Sequence, residues 1–286
     1  MAEFVIKDED LSNLKDKVVV ITGGSAGIGL ATTKLLLSMG ASVVYGDIQP
    51  PATGELDKKS STLFVQTNVV NWTDLVALFK KGKQHFGRID SVFTNAGVRP
   101  RARYLAFEED ENGDLKEPNH EVFDINLRSV INTAYLGVHY MKEQPEGGSI
   151  VLMASSSAIQ PFRRPDYSSA KHGVFGFGRG YARLVESAGL PIRVNVMMPS
   201  MTTTGIMQNM DAMMSQVSYQ AQTDSSVARC AALLMVDTSR HGEAIFVSEG
   251  KYKEVEKAVL LPAYESIKGE ERISDDDVIR LLSAKS

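Results

Sequence analysis

The sequence feature that most constrains the fold is a run of four β-branched residues, 18–21, that leads directly into a glycine-rich turn. Such a run suits a strand buried on both faces, as in a parallel sheet. Gly23, Gly27 and Gly29 lack the side chains that would keep a phosphate away from the backbone, and residues 28–39 have helical spacing. The free N–H groups and positive dipole end of a helix N-terminus bind a diphosphate. The stretch therefore predicts a dinucleotide-binding loop, with the spacing G-x-x-x-G-x-G rather than G-x-G-x-x-G.

Composition narrows the functional classes. The chain has 286 residues, of which 43% are hydrophobic and 23% are charged, as is usual for one globular α/β domain. A net charge of −4 excludes a basic surface for nucleic acid or an anionic membrane. Residues 1–16 are charged and aperiodic, so we expect a loose or draped N-terminal extension without a signal peptide or membrane span, and a cytoplasmic protein.

Further short apolar segments alternate with helical patterns along the chain. They predict strands at residues 41–45, 62–67, 89–94, 149–153, 192–196 and 244–247. With the opening strand, this alternation predicts a Rossmann-type, doubly wound α/β fold: a seven-stranded parallel sheet with helices on both faces, in a single domain over residues 17–250. Ligands of such a sheet gather at the carboxyl ends of its strands.

The second predicted strand ends at Asp47, 18 residues after Gly29. An acidic side chain there accepts hydrogen bonds from both ribose hydroxyls of an adenosine and repels a 2′-phosphate. Ala26 and Ile48 supply no cation to offset that repulsion. The sequence therefore favours NAD over NADP, the alternative being that Asp47 is a solvated residue at a strand end.

A second group of residues has the composition of a proton-transfer site. Tyr167 and Lys171 lie four residues apart, which places both on one face of a helix. A nearby ammonium favours the phenolate and lowers a tyrosine pKa from its ordinary value near 10. A serine hydroxyl, Ser155 or Ser156, can hold the substrate oxygen while the tyrosine exchanges its proton. Asn126, in a helix predicted over residues 119–142, is either a structural tie or a functional group.

In this order and spacing, the motifs resemble the short-chain dehydrogenase/reductase family over residues 17–250. The matching pieces are T-G-G-S-A-G-I-G at 22–29, T-N-A-G at 94–97, Y-S-S-A-K at 167–171 and P-S-M-T-T-T at 199–204. The resemblance implies that Tyr167 is the general acid/base and that Ser155 polarises the substrate oxygen. It also implies that Lys171 bonds the nicotinamide ribose and lowers the tyrosine pKa, and that Asn126 holds a water of the proton relay. No metal is implied. The cofactor-binding residues carried over in this way are Gly23, Ser25, Gly27, Ile28, Gly29, Asp47, Asn68, Val69, Asn95, Ala96, Gly97, Tyr167, Lys171, Pro199, Thr202 and Thr204.

The longer pattern is similar to a fungal branch related to 15-hydroxyprostaglandin dehydrogenases and often found in secondary metabolism. This resemblance implies an NAD-dependent oxidoreductase acting on a secondary alcohol or ketone of a small lipophilic substrate. It also implies a homodimer or homotetramer paired through the helices that carry Asn126 and Tyr167. Two alternatives stay open: an isomerase, cyclase or dehydratase on the same scaffold, and a noncatalytic dinucleotide-binding protein.

Two segments lie around or beyond the motifs. Residues 200–220 are predicted to be a substrate lid, because seven of the twelve methionines lie between positions 197 and 214 and flexible thioethers suit an adaptable apolar pocket. Residues 251–286 form a predicted C-terminal helical extension, with short helices at 252–264 and 275–282.

Overall fold

The computed structural model of the chain describes residues 2–52, 56, 60–204, 221–269 and 272–283. From residue 205 onward, the predicted lid therefore lies outside the described residues. The strands in chain order are β1 Ala2–Phe4, β2 Val18–Thr22, β3 Ser42–Asp47, β4 Thr62–Gln66, β5 Ser91–Thr94, β6 Gly148–Met153, β7 Ile192–Pro199, β8 Thr202–Thr203, β9 Gln222–Thr223, β10 Ala244–Ser248 and β11 Lys251–Glu254.

Helices connect most of these strands. They are α1 Gly27–Ser38, α2 Trp72–Phe86, α3 Glu121–Phe123, α4 Ser129–Met141, α5 Pro165–Ser187, α6 Asp224–Val236, α7 Leu261–Lys268 and α8 Asp275–Ser283. The helix predicted over residues 119–142 is present, but a π-helical turn, Asp124–Arg128, lies between α3 and α4. Asn126 belongs to this turn.

Seven parallel strands form the body of the sheet, which confirms the predicted fold class. Within the described residues, nine strands pair in the order β1-β11-β10-β7-β6-β5-β2-β3-β4. All five residues of β2 are buried, and Ile21 lies between Tyr45 of β3 and Phe93 of β5 in the register. The β-branched run forms a central strand because both of its faces are covered, one by α2, α4 and α5 and the other by α1 and α6.

One edge of the sheet carries two antiparallel strands, β1 and β11, that the sequence does not predict. Phe4 of β1 pairs with Tyr252 of β11, and β11 pairs with β10. Leu11 and Leu14, on a 3-10 helix Glu9–Leu14, are fully buried. Of the two expectations for the N-terminal segment, a draped one therefore describes these residues and a loose one does not.

The predicted helix at residues 252–264 is wrong over its first part. Its opening residues belong to β11, and the helical stretch begins with a π-helical turn, Glu256–Leu260, before α7. The buried carboxylate of Glu254 explains the change, because it accepts hydrogen bonds from the backbone N–H groups of Glu256, Lys257 and Ala258 and so begins the helix after the strand. In the described part of the chain, no helix combines the length and apolar character needed to cross a bilayer.

Candidate active site

The glycine loop lies at the carboxyl end of β2 and leads into α1. Gly23 and Gly27 have φ of +69° and +50°, in the left-handed region that favours glycine. A Cβ atom on Gly29 would lie 2.0 Å from the carbonyl oxygen of Gly23, so only glycine fits there. No side chain caps the N-terminus of α1 at Ala26, which leaves its N–H groups available to an anion.

The turn after β5 supports this loop from the neighbouring strand. Asn95 Nδ2 donates hydrogen bonds to the carbonyl oxygens of Thr22 and Gly23, at 3.1 and 2.8 Å. The N–H of Ala96 donates to Thr22 Oγ1 at 3.3 Å. Exposed Gly97 follows this turn. The T-N-A-G motif therefore holds the conformation of the glycine loop.

The carboxylate of Asp47 lies beside the same loop, at the carboxyl end of β3. Its Oδ2 accepts a hydrogen bond from the N–H of Ser25 at 3.0 Å, and its Oδ1 accepts one from the N–H of Ile48 at 2.8 Å. Each oxygen retains a lone pair for a ribose hydroxyl, since an ionised carboxylate has about four acceptor positions. Ser25 Oγ is buried and has no hydrogen-bond partner among the described residues, so its hydroxyl can donate to and accept from a ligand at this place.

Asn68 and Val69 follow β4 at the next strand end. Asn68 is exposed, and its Oδ1 accepts a hydrogen bond from the N–H of Val70 at 3.3 Å. Its own N–H donates to Asp74 Oδ2 at 3.0 Å. Val69 is buried. The structure thus brings these two residues to the correct edge of the sheet but leaves the Asn68 side chain in its own turn.

The segment after β7 approaches the glycine loop from the other side. β7 ends at buried Pro199, and the side chain of Thr204 lies where a Cβ on Gly27 would meet it at 3.3 Å. Thr202 pairs with Gln222 between β8 and β9, and its Oγ1 donates to the carbonyl of Ser200 at 2.8 Å. The start of the predicted lid is therefore paired with the segment that follows the lid.

Tyr167, Lys171 and Ser155 lie together where β6 ends against α5. Ser155 hydrogen-bonds Tyr167, and Ser155 Oγ also accepts from the N–H of Ser157 at 3.2 Å. Lys171 Nζ lies 5.7 Å from the centre of the Tyr167 ring and donates to the carbonyl of Met153 at 2.9 Å. A phenol, a hydroxyl and an ammonium separated in the sequence are therefore grouped at one strand end.

Burial changes the acid-base properties of this group. The pKa of Tyr167 is raised, because burial disfavours the phenolate more than the hydrogen bond from Ser155 favours it. Burial also lowers the pKa of Lys171 from 10.5 to about 8. The sequence predicts a lowered tyrosine pKa, and the difference arises because burial of the phenol dominates, while the Lys171 ammonium is directed to the Met153 carbonyl. With these pKa values, the phenol is protonated and the lysine is mainly charged at neutral pH.

The two candidate serines have different partners. Ser155 is in contact with Tyr167, whereas Ser156 Oγ accepts a hydrogen bond from Gln160 Nε2 at 3.1 Å. Asn126 is fully buried and forms a reciprocal pair with Val98: its Nδ2 donates to the Val98 carbonyl, and its Oδ1 accepts from the Val98 N–H, both at 2.8 Å. The side-chain amide of Asn126 thus has a structural role, since it fixes the backbone of Val98. The π-helical turn that contains Asn126 is a feature that is frequent at functional sites.

Two buried polar residues near the site carry no sequence signal that distinguishes them. Asp166 accepts hydrogen bonds from the N–H groups of Arg101 and Ala102, but in the sequence it is only an acidic residue at the start of a helix, which is common. Gln222 donates to the carbonyl of Val247 at 2.9 Å and lies 3.3 Å from Thr202 Oγ1. Both depend on partners that are distant in the sequence.

Comparisons with known proteins agree with this geometry. Residues 17–215 match the family model described as short chain dehydrogenase. A short-chain dehydrogenase/reductase of Acremonium egyptiacum, ascJ, is 47% identical over 284 residues, which cover 98% of this chain and 95% of that protein. The 15-hydroxyprostaglandin dehydrogenase [NAD(+)] of Rattus norvegicus is 32% identical over 74% of this chain and 78% of its own length. The crystal structure of levodione reductase is similar with a TM-score of 0.69 and 25% identity, covering 82% of this chain and 97% of that chain.

Proposed function

The chain belongs to the short-chain dehydrogenase/reductase family, whose oxidoreductases transfer hydride between a nicotinamide cofactor and an alcohol or ketone, and we propose that it uses NAD to interconvert a secondary alcohol and a ketone on a lipophilic molecule. The observation that carries this proposal is the grouping of Tyr167, Ser155 and Lys171 at the carboxyl edge of the sheet, on the same edge as the glycine loop.

The features around Asp47 support the choice of NAD. Its carboxylate accepts two backbone N–H bonds and keeps acceptor capacity for the hydroxyls of an adenosine ribose. A 2′-phosphate at the same place would bring two negative groups together, with Ala26 and Ile48 as uncharged neighbours. A rat relative whose name specifies NAD(+) agrees with this choice.

The residues of the loop fit a dinucleotide. Ser25 Oγ is a buried hydroxyl without a hydrogen-bond partner in the part of the chain that the structure describes. The backbone at Gly23, Gly27 and Gly29 either leaves no space for a side chain or has a conformation that larger residues rarely adopt. These residues would hold the diphosphate, while Asp47 would hold the ribose and Thr204 would contact the nicotinamide amide. When bound, the nicotinamide supplies or accepts the hydride.

The chain's own residues handle the proton. In the reducing direction, Tyr167 Oη donates its proton to the carbonyl oxygen of the substrate, and in the oxidising direction the phenolate accepts the alcohol proton. Ser155 Oγ accepts from the Ser157 N–H, and its hydroxyl hydrogen, which is directed to Tyr167 in the structure, would turn to the substrate oxygen and polarise it when substrate is bound. The Lys171 ammonium, which donates to the Met153 carbonyl in the structure, would also donate to the ribose of the bound cofactor. Asn126 holds a water of the relay through its backbone, because its side-chain amide is bonded to Val98.

Apolar residues near Tyr167 support a lipophilic substrate. The Phe162 ring lies 6.3 Å from the Tyr167 ring, between centroids, and is 42% exposed. Ile159, in the same segment, is 40% exposed. In the proposed enzyme, residues 200–220 act as a substrate lid. Exposed Tyr135 on α4 and Leu184 on α5 support a homodimer or homotetramer paired through these helices.

The proposal is tested by turnover with a panel of lipophilic secondary alcohols and ketones, following nicotinamide absorbance with NAD(H) and NADP(H) in parallel. We expect turnover with NAD(H), a lower kcat/KM with NADP(H), and loss of turnover in Tyr167→Phe with retained NADH binding. Equal use of the two cofactors would contradict the NAD assignment. Binding of NADH without turnover of any member of the panel would contradict the enzymatic assignment.

A further inference from the structure

Residues 98–102, here called the strap, connect the supports of two proposed catalytic residues. At its first residue, the strap is bonded to Asn126 through both backbone groups of Val98, each at 2.8 Å. The side chain of Asn126 is fully buried in the π-helical turn that precedes α4. This end of the strap is therefore fixed to the π-helical turn that carries Asn126, the residue proposed to hold the relay water.

At its other end, the strap is bonded to the residue before Tyr167. The N–H groups of Arg101 and Ala102 donate to Asp166 Oδ2 at 2.8 and 3.0 Å. Asp166 is 1% exposed and lies in the first turn of α5. The guanidinium of Arg101 also forms an ion pair with Glu121 of α3. Five residues of backbone thus join the helix of Asn126 to the helix of Tyr167.

The carboxylate of Asp166 is suited to a fixed link. Burial raises its pKa, but the N–H groups of Ala102 and Arg101, with those of Tyr167 and Asp166 itself, outweigh burial and leave the pKa below its ordinary value. The group is therefore ionised at neutral pH, and hydrogen bonds to a charged acceptor are about twice as strong as neutral ones. Asp166 Oδ2 accepts hydrogen bonds from two N–H groups of the strap, so capping of α5 alone does not account for this carboxylate.

We propose that Asp166 is a positioning residue that, through the strap, holds Tyr167 and Asn126 at a fixed separation. The proposal rests on the proposed dehydrogenase function of the same site. Asp166 touches neither substrate nor cofactor in this account, so its loss affects the chemical step and leaves nucleotide binding in place.

The test compares Asp166→Ala and Asp166→Asn with the wild-type enzyme and a matched control. The asparagine variant retains an oxygen that accepts both strap N–H groups, whereas the alanine variant retains none. Asp110→Ala is the control, because Asp110 also accepts two backbone N–H bonds, from Asn112 and Asp114, in the same connection but on its exposed part.

We expect Asp166→Ala to lower kcat by about 30-fold, since displacement of a catalytic group by about 1 Å costs on the order of 100-fold. Asp166→Asn should lower it less than about threefold, and the Asp110→Ala control should leave it unchanged. The Kd for NADH should stay within about twofold in all variants. In hydrogen exchange, the amides of Arg101 and Ala102 should lose protection in Asp166→Ala and retain it in Asp166→Asn.

Three results would overturn the proposal: a kcat of Asp166→Ala equal to that of the control, an asparagine variant as slow as the alanine variant, or a parallel loss of NADH affinity. If the wild-type protein turns over no alcohol or ketone, the proposed function fails by itself. The link between Asp166 and the strap is then decided by the exchange of the Arg101 and Ala102 amides, and unchanged protection in Asp166→Ala would refute it.

Discussion

Replacing Lys171 by methionine tests the electrostatic description of the site most quantitatively. Lys171 is 3% exposed, and no carboxylate in the described ranges forms an ion pair with its ammonium. Burial lowers its pKa from 10.5 to about 8. One pKa unit corresponds to about 1.4 kcal/mol, so keeping the ammonium in the folded protein at neutral pH costs about 3 kcal/mol of stability.

The sign of the pH dependence follows from proton binding. Between about pH 8 and pH 10.5, the unfolded chain binds the lysine proton and the folded protein does not, so this group makes stability rise with pH across that window. From pH 7 to pH 10, the wild-type protein should gain about 2.5 kcal/mol of unfolding free energy relative to Lys171→Met. The carbonyl of Met153, which loses its donor in the variant, contributes an offset that is the same at both pH values.

The assay is urea denaturation of both proteins at several pH values between 7 and 10, followed by circular dichroism. The difference in unfolding free energy between the two proteins is the quantity of interest, because titration of all other groups is common to both. A difference that stays constant within about 0.5 kcal/mol over this range would refute the assignment of a strongly lowered lysine pKa. A variant that is more stable at pH 7 yet inactive would show that the lysine is retained for function.

Three further predictions concern the cofactor and the proton. Asp47→Ala should narrow the preference for NADH over NADPH by about tenfold, measured as the ratio of the two Kd values, because the repulsion of a 2′-phosphate is removed; an unchanged ratio would contradict the role of Asp47. Gly29→Ala should abolish NADH binding and lower the melting temperature, because its Cβ would lie 2.0 Å from the Gly23 carbonyl oxygen. The control Gly176→Ala, which has open space at its Cβ, should retain NADH binding and raise the free energy of unfolding by up to about 1 kcal/mol. Because burial raises the pKa of Tyr167, kcat/KM for alcohol oxidation should increase from neutral pH to about pH 8, where Lys171 loses its proton, while kcat/KM for ketone reduction stays flat around neutral pH; a plateau in oxidation below pH 7 would contradict this.

The parallel sheet could be predicted because its determinants are local. Four β-branched residues before Gly23 indicate a central strand, and the structure buries every residue of β2. The two edge strands could not be predicted in the same way. Phe4 pairs with Tyr252 near the opposite end of the chain, and neither short segment specifies its partner by composition.

The candidate site was predictable where its residues form motifs and not where they act through distant contacts. Tyr167 and Lys171 are four apart on one helix, so their shared face follows from helix geometry. The direction of the tyrosine pKa does not, since it depends on burial and on the Met153 carbonyl that the lysine contacts. Asp166 is likewise informative only once Arg101 is seen beside it.

The most direct test of the central claim is the transfer of deuterium from NADH deuterated at the hydride position to the carbinol carbon of a lipophilic ketone. We predict that the wild-type protein yields an alcohol with one deuterium on that carbon, and that Tyr167→Phe yields almost none although it still binds NADH. An alcohol product without deuterium, or equal transfer by the two proteins, would contradict the account.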